Sequence, residues 1–144
     1  RPHGRQRRSR LGPQAHERLI AVQTKQLFHL FQRRGIDMEG LELTAFQIIS
    51  SVGTARSCYI EAIQAAKKGD YEEAEKLIKE GDEAFIEGHD AHAGLLQQEA
   101  AGTGGTVSLL ILHAEDQLMS AEGFKTIAQE FIDVYQRFDA EKEA

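Results

Sequence analysis

The chain has 144 residues, of which 28% are charged and 41% hydrophobic, and a formal net charge of −6. That length suffices for one domain with a real core, and no apolar run approaches the ~20 residues of a membrane-crossing helix, so no direct membrane insertion is expected. A single cysteine, Cys58, excludes an internal disulfide and fits a cytoplasmic location.

Charge divides the chain. Residues 1–37 carry nine Arg and Lys against Glu17 and Asp37, and the remaining residues carry eight against 21 Asp and Glu, giving +7 and −13. The basic stretch opens "RPHGRQRRSRLGPQAHERL" and contains both prolines. Such an arm can attract phosphate-rich surfaces, but it shows no base-reading motif, so no nucleic-acid partner is expected. Residues 1–37 are read as a basic extension, flexible or partly helical around "HERLIAVQTKQLFHLFQRR". A second plausible beginning, "MEGLELTAF", stands at Met38, and 38–144 is expected to form the functional domain.

From Met38 onward there is no proline, and Ala, Glu, Leu, Ile and Lys suit long helices. The first is expected over about 42–68, with a buried stripe of Ala45, Ile48, Ile49, Val52, Ala55, Tyr59, Ala62, Ile63 and Ala66. "KKGD" ends it, Gly69 taking a left-handed cap and Asp70 capping the next helix. The second helix places Tyr71, Ala74, Leu77, Ile78, Gly81, Phe85, His89, His92, Leu95, Leu96 and Glu99 on one face, until "AGTGGT" breaks it. The third starts at Thr106 or Ser108 and runs to about Phe138. Short connections imply antiparallel neighbours, hence an all-α, up-down-up three-helix bundle.

The third helix carries two apolar stripes: Val107, Leu110, Ile111, Ala114, Leu118, Ala121, Ala128 and Ile132 on one side, Leu109, Leu112, Met119 and Gly123 on the other, with Asp116 in the centre of the second. A lone bundle buries one stripe per helix, so the second predicts self-association.

The antiparallel register brings His92 level with His113 and His89 level with Asp116, collecting four titratable groups at one height. Taken singly, His89 or His92 reads first as a hydrogen-bonded core residue. Together the four suit a zinc or iron site in a helical enzyme, although no Glu-x-x-His pair marks a di-iron bundle. Alternatively a histidine is itself the nucleophile and carries a phosphoryl group. No Walker-type glycine loop points to a nucleotide.

The segments "FQIISSVGTARSCYIEAIQAAKKGDYEEAEKLI", "HAGLLQQEAAG" and especially "VSLLILHAEDQLMSAEGFK" resemble the lactose/cellobiose-type IIA component of the bacterial sugar phosphotransferase system, over nearly all of 38–138. The resemblance implies a phosphotransferase component working as a homotrimer of three-helix units. It implies that His113 accepts a phosphoryl group, on Nε2, from the phosphohistidine of HPr and passes it to a cysteine of the IIB component. It also implies that the three copies of Asp116 share one Mg²⁺ on the symmetry axis, since clustered carboxylates in an apolar seam need a hard cation or a proton. Gln117 stands where the lactose branch carries a histidine, which leans the sugar toward a cellobiose- or chitobiose-type diglycoside. His92 falls where glutamine is common. Gln117, His89 and His92 are expected around the site, and Lys125 is expected among the cations that offset the acidic domain when a phosphorylated donor docks.

Overall fold

The computed structural model describes residues 40–143. The basic stretch 1–37, the partial helix expected in it and the beginning expected at Met38 lie outside the described residues. Three helices follow in order: α1 (Leu41–Ala66), α2 (Tyr71–Ala100) and α3 (Leu109–Glu143), with no strand among the described residues. The expected all-α, up-down-up bundle is what the chain forms.

The local signals act as their chemistry dictates. Gly69 sits at φ 79°, a left-handed conformation that glycine adopts without a Cβ penalty. The Asp70 carboxylate accepts the Glu73 backbone N–H at 3.1 Å and so caps α2. Of the two starts expected for α3, Ser108 is the one used: its Oγ accepts the Ile111 N–H at 3.3 Å. At its far end α3 continues past Phe138 to Glu143, because Asp139 and Lys142 pair along its last turn at 2.8 Å.

Helix α1 is the spine. It packs extensively on both α2 and α3, which touch each other far less. Small residues permit this: Ala45, Ala55, Ala62 and Ala66 of α1 are buried against Ala74 of α2 and Ala114, Ala121 and Ala128 of α3. The core is a column of three layers. Ile48 and Val52 meet Ala114 and Leu118 near one end, Ala55 and Tyr59 meet Ala128 in the middle, and Ala62 and Ala66 meet Leu77 and Ile132 near the other. Two expectations fail at the margins. Val107 precedes α3 and is exposed, and the α2 face loses its buried character beyond Gly88, leaving His89, Leu96 and Glu99 exposed. There only Ala91, His92 and Leu95 still reach the neighbouring helices, and the rest of the face is open.

At the far end a polar clip ties α2 to α3. The Tyr71 hydroxyl donates to Asp139 Oδ2 at 2.6 Å, and Lys142 donates to Oδ1. The Lys142 ammonium first, and then the tyrosine, hold the Asp139 carboxyl below its ordinary value, while the hydrogen bond to Asp139 pushes Tyr71 up to about 12. A carboxyl depressed by folding stabilises the fold above its unfolded pKa, and that contribution is lost as pH falls through the folded value. Asp139→Asn should therefore be less stable than wild type at neutral pH, and the gap should close below about pH 4. Thermal melts over that range check this; a gap constant with pH contradicts it.

Candidate functional site

The site is built on the first three turns of α3. Ala114 and Leu118 are almost wholly buried against Ile48 and Val52 of α1, and this fixes how α3 is rotated. At about 100° per residue, burial of those two positions delivers His113 and Gln117 to the flank beside α1, and turns Asp116 to the side away from the core. The His113 ring is accordingly exposed. Gln117, one turn further along the same flank, is half-buried, and its Oε1 accepts a hydrogen bond from Arg56 Nη1 of α1 at 2.9 Å. Its amide Nε2 donates onward to Asp116 Oδ2 at 3.4 Å. A cation, an amide and a carboxylate thus form a chain beside the exposed imidazole.

Asp116 lies within a continuous exposed apolar seam. Leu112 and Met119, one step to either side, are 57% and 58% exposed, and Leu109 is 83% exposed. The seam extends beyond the sequence expectation: Ile127, Phe131, Val134 and Phe138 continue it at steps of three and four along α3. A soluble helix seldom leaves such a length of apolar surface to water.

The expected convergence of four titratable groups does not occur. His92 Nε2 meets Glu115 Oε2 at 2.5 Å, and the His92 side chain is only 14% exposed. Glu115 is two residues past His113, about 200° around the helix, so His92 occupies the opposite flank of α3. His89 is exposed, its ring 6.1 Å from that of Phe85 on its own helix. Among the described residues no three His, Cys, Asp or Glu side chains are grouped to hold a metal ion. A zinc or iron centre of His89, His92, His113 and Asp116 within one chain is therefore overturned: register sets the height of a residue, whereas helix rotation sets its side. Lys125, expected among the cations that meet a docking donor, already has a carboxylate partner. Its Nζ lies 2.8 Å from Asp82 Oδ2, in the middle of the bundle.

An exposed histidine one turn from a glutamine that an arginine holds, beside an apolar seam, is now placed on a specific helical frame, and this frame matches known proteins. The profile described as "PTS system, Lactose/Cellobiose specific IIA subunit" matches residues 43–136. The chain belongs to this family. It is 40% identical over 106 residues to the lichenan-specific phosphotransferase enzyme IIA component of Bacillus subtilis, covering 74% of this chain and 96% of that protein. It is 34% identical over 102 residues to the lactose-specific EIIA component of Staphylococcus aureus, covering 71% and 99%. The crystal structure of the cellobiose-specific enzyme IIA from Bacillus anthracis superposes with a TM-score of 0.68 at 39% identity, covering 72% of this chain and 95% of that one.

This IIA-family chain is thus a phosphotransferase component with a phosphocarrier role in sugar uptake, a role that implies interaction with other components of the system. No described helix is long and apolar enough to cross a membrane. Two features of the IIA domain escaped the sequence reading. Arg56 interrupts the α1 stripe directly after buried Ala55, where a charged residue reads as solvated. Tyr59, read simply as core, is fully buried yet donates its hydroxyl to Asp82 Oδ1 at 2.8 Å, so that Tyr59, Asp82 and Lys125 join all three helices. Burial, reinforced by Asp82, pushes the Tyr59 hydroxyl well above its ordinary value.

Proposed function

We propose that His113 is the phosphoryl seat of this phosphocarrier, loaded by the phosphohistidine of HPr and unloaded by a cysteine of the IIB component. What carries the reading is the exposed His113 ring, delivered to the surface by the burial of Ala114 and Leu118 and therefore open to visiting proteins. The Nε2 lone pair attacks phosphorus in line as the donor's P–N bond breaks, its electrons returning to the donor imidazole. In the second transfer the IIB thiolate attacks phosphorus and the bond to Nε2 breaks. Such chemistry needs mainly positioning and charge stabilisation.

The seam is the natural surface for a homotrimer, with the α3 helices of three chains side by side. Three Asp116 carboxylates then meet in an apolar setting, where their mutual repulsion requires an offsetting charge. An all-oxygen donor set suits a hard divalent ion, and one Mg²⁺ held by the three Asp116 side chains would supply that charge. For the sugar, greater identity to lichenan- and cellobiose-specific proteins than to the lactose-specific one favours a cellobiose- or chitobiose-type diglycoside.

The test is direct. Incubation with enzyme I, HPr and phosphoenolpyruvate should add one phosphoryl group, located on His113 by peptide mapping, and His113→Ala should take up none. Equal labelling of the variant and the wild type would sink the assignment.

A further inference from the structure

We propose that Arg56 binds the phosphoryl group while His113 carries it, making Arg56 a catalytic residue of the transfer. This rests on His113 as the phosphoryl seat. Helices α1 and α3 run parallel, with Ile48 and Val52 level with Ala114 and Leu118, and Ala55 and Tyr59 level with Ala128. The Arg56 backbone therefore sits beyond the level of Gln117. Its side chain leans back toward the start of α1, as helical side chains do, and its Nη1 reaches Gln117 Oε1 at 2.9 Å. Gln117 and His113 are four apart on one flank, a spacing that places Cβ atoms about 5–6 Å from one another. The guanidinium is thus held one helical turn from the reacting ring and on the same side of α3.

Its charge state fits the role. Lys76, Lys125 and Lys142 each contact a carboxylate, at 3.3, 2.8 and 2.8 Å. Arg56 is half-buried with a neutral amide as its partner, and among the described residues no carboxylate lies within ion-pair distance of it. A partly desolvated cation without a counter-charge gains most from an arriving anion. One N–H of the fork is used on Gln117, and the remaining donors are available for phosphoryl oxygens, the geometry that favours arginine over lysine. In the transfer, negative charge spreads over the three equatorial oxygens, and a preorganised donor beside them lowers the barrier. Gln117 then serves as the rest for the guanidinium between loadings and as its link to Asp116.

The experiment compares the full chain with Arg56→Gln and Arg56→Lys in the enzyme I, HPr and phosphoenolpyruvate system. The initial rate of labelling is measured together with the titration of the phosphoryl oxygens by phosphorus NMR. Arg56→Gln should slow labelling by roughly tenfold or more, short of the loss seen when an enclosed oxyanion donor is removed, and should move the phosphoryl titration to higher pH. Arg56→Lys should restore the titration but only part of the rate. A role limited to joining α1 to α3 would alter melting and leave the titration unmoved, and that outcome overturns the proposal. If Arg56→Gln does not melt cooperatively, Arg56→Lys decides, a wild-type rate then counting against the proposal. Absence of label on wild-type His113 removes the phosphoryl seat itself, whereas normal labelling of both variants removes the role of Arg56 alone.

Discussion

Gly81→Ala should lower the melting temperature by roughly 8 °C or more, whereas Gly94→Ala should raise it by about 4 °C. The substitution is chemically the same, and within a helix it is ordinarily worth about 1 kcal/mol in favour of alanine. What differs is the space. A Cβ on Gly81 would lie 2.6 Å from Cε1 and 2.9 Å from Cδ1 of the Tyr59 ring, and 3.2 Å from the Ala55 carbonyl oxygen. The ring cannot retreat: it is wholly buried, and its hydroxyl is tied to Asp82, the residue next to Gly81 on α2. The carbonyl is backbone and cannot rotate away. Relief requires α1 and α2 to separate, which opens the middle layer of the core; overpacking of this kind costs about 1–3 kcal/mol, here at the upper end and exceeding the propensity gain. Gly94 has nothing within 4 Å of a built Cβ, so only the propensity term operates. Melts at one fixed protein concentration check both, since association also shifts the midpoint. A Gly81→Ala protein melting within about 2 °C of wild type would mean that the helices tolerate separation at this layer.

The same close approach shows which parts of the molecule the sequence discloses. Faces of helices are legible because burial at steps of three and four leaves a periodic trace: Ala45, Ile48, Val52, Ala55, Tyr59 and Ala62 were all expected inside and all are buried. Ends are legible where a special residue is required, as at Gly69, Asp70 and Ser108. Gly88 is absent from the expected face, because a step of four from Phe85 leads to His89 and a step of three to Gly88, yet it is buried with a built Cβ only 2.6 Å from Val52 Cγ1. The Tyr59–Asp82–Lys125 link was missed because it needs three helices at once, and each member reads conventionally on its own. At the site, His113, Asp116 and Gln117 lie on one helix, so their spacing nearly determines their relation. His92 and Arg56 belong to other helices. Placing them requires the rotation of each helix about its axis, which periodicity fixes only to within the width of an apolar face. That uncertainty was enough to set His92 beside His113 when its partner is Glu115, and to leave Arg56 unnoticed.

If the α3 seam is the proposed trimer interface, Leu112→Glu and Met119→Glu together should convert the assembly from trimer to monomer in light scattering, while Asp116→Leu should remain trimeric and lose any dependence on Mg²⁺. All three positions are exposed in the single chain and share the α3 seam, so none of the changes disturbs the core beneath. In the trimer they would be covered. Leucine and methionine there gain about 25 cal/mol for each Å² of apolar surface removed from water; glutamates at the same places must instead be desolvated beside their symmetry mates, at a cost of several kcal/mol per unpaired charge. Asp116 presents the reverse case. In the proposed trimer its carboxylate would already pay that cost, relieved only in part by the 3.4 Å contact with the Gln117 amide, and a bound cation would offset it. Leucine removes both the repulsion and the need for the ion, and replacing buried charges by apolar groups of similar size is often neutral or stabilising. Chelator should accordingly weaken the wild-type trimer and leave the Asp116→Leu trimer unaffected. Monomeric Asp116→Leu would instead assign the cohesion to the carboxylates and their ion, with the flanking apolar residues contributing shape more than energy. A double glutamate variant that stays trimeric would move the interface off this seam altogether, and with it the expectation that the α3 helices face one another.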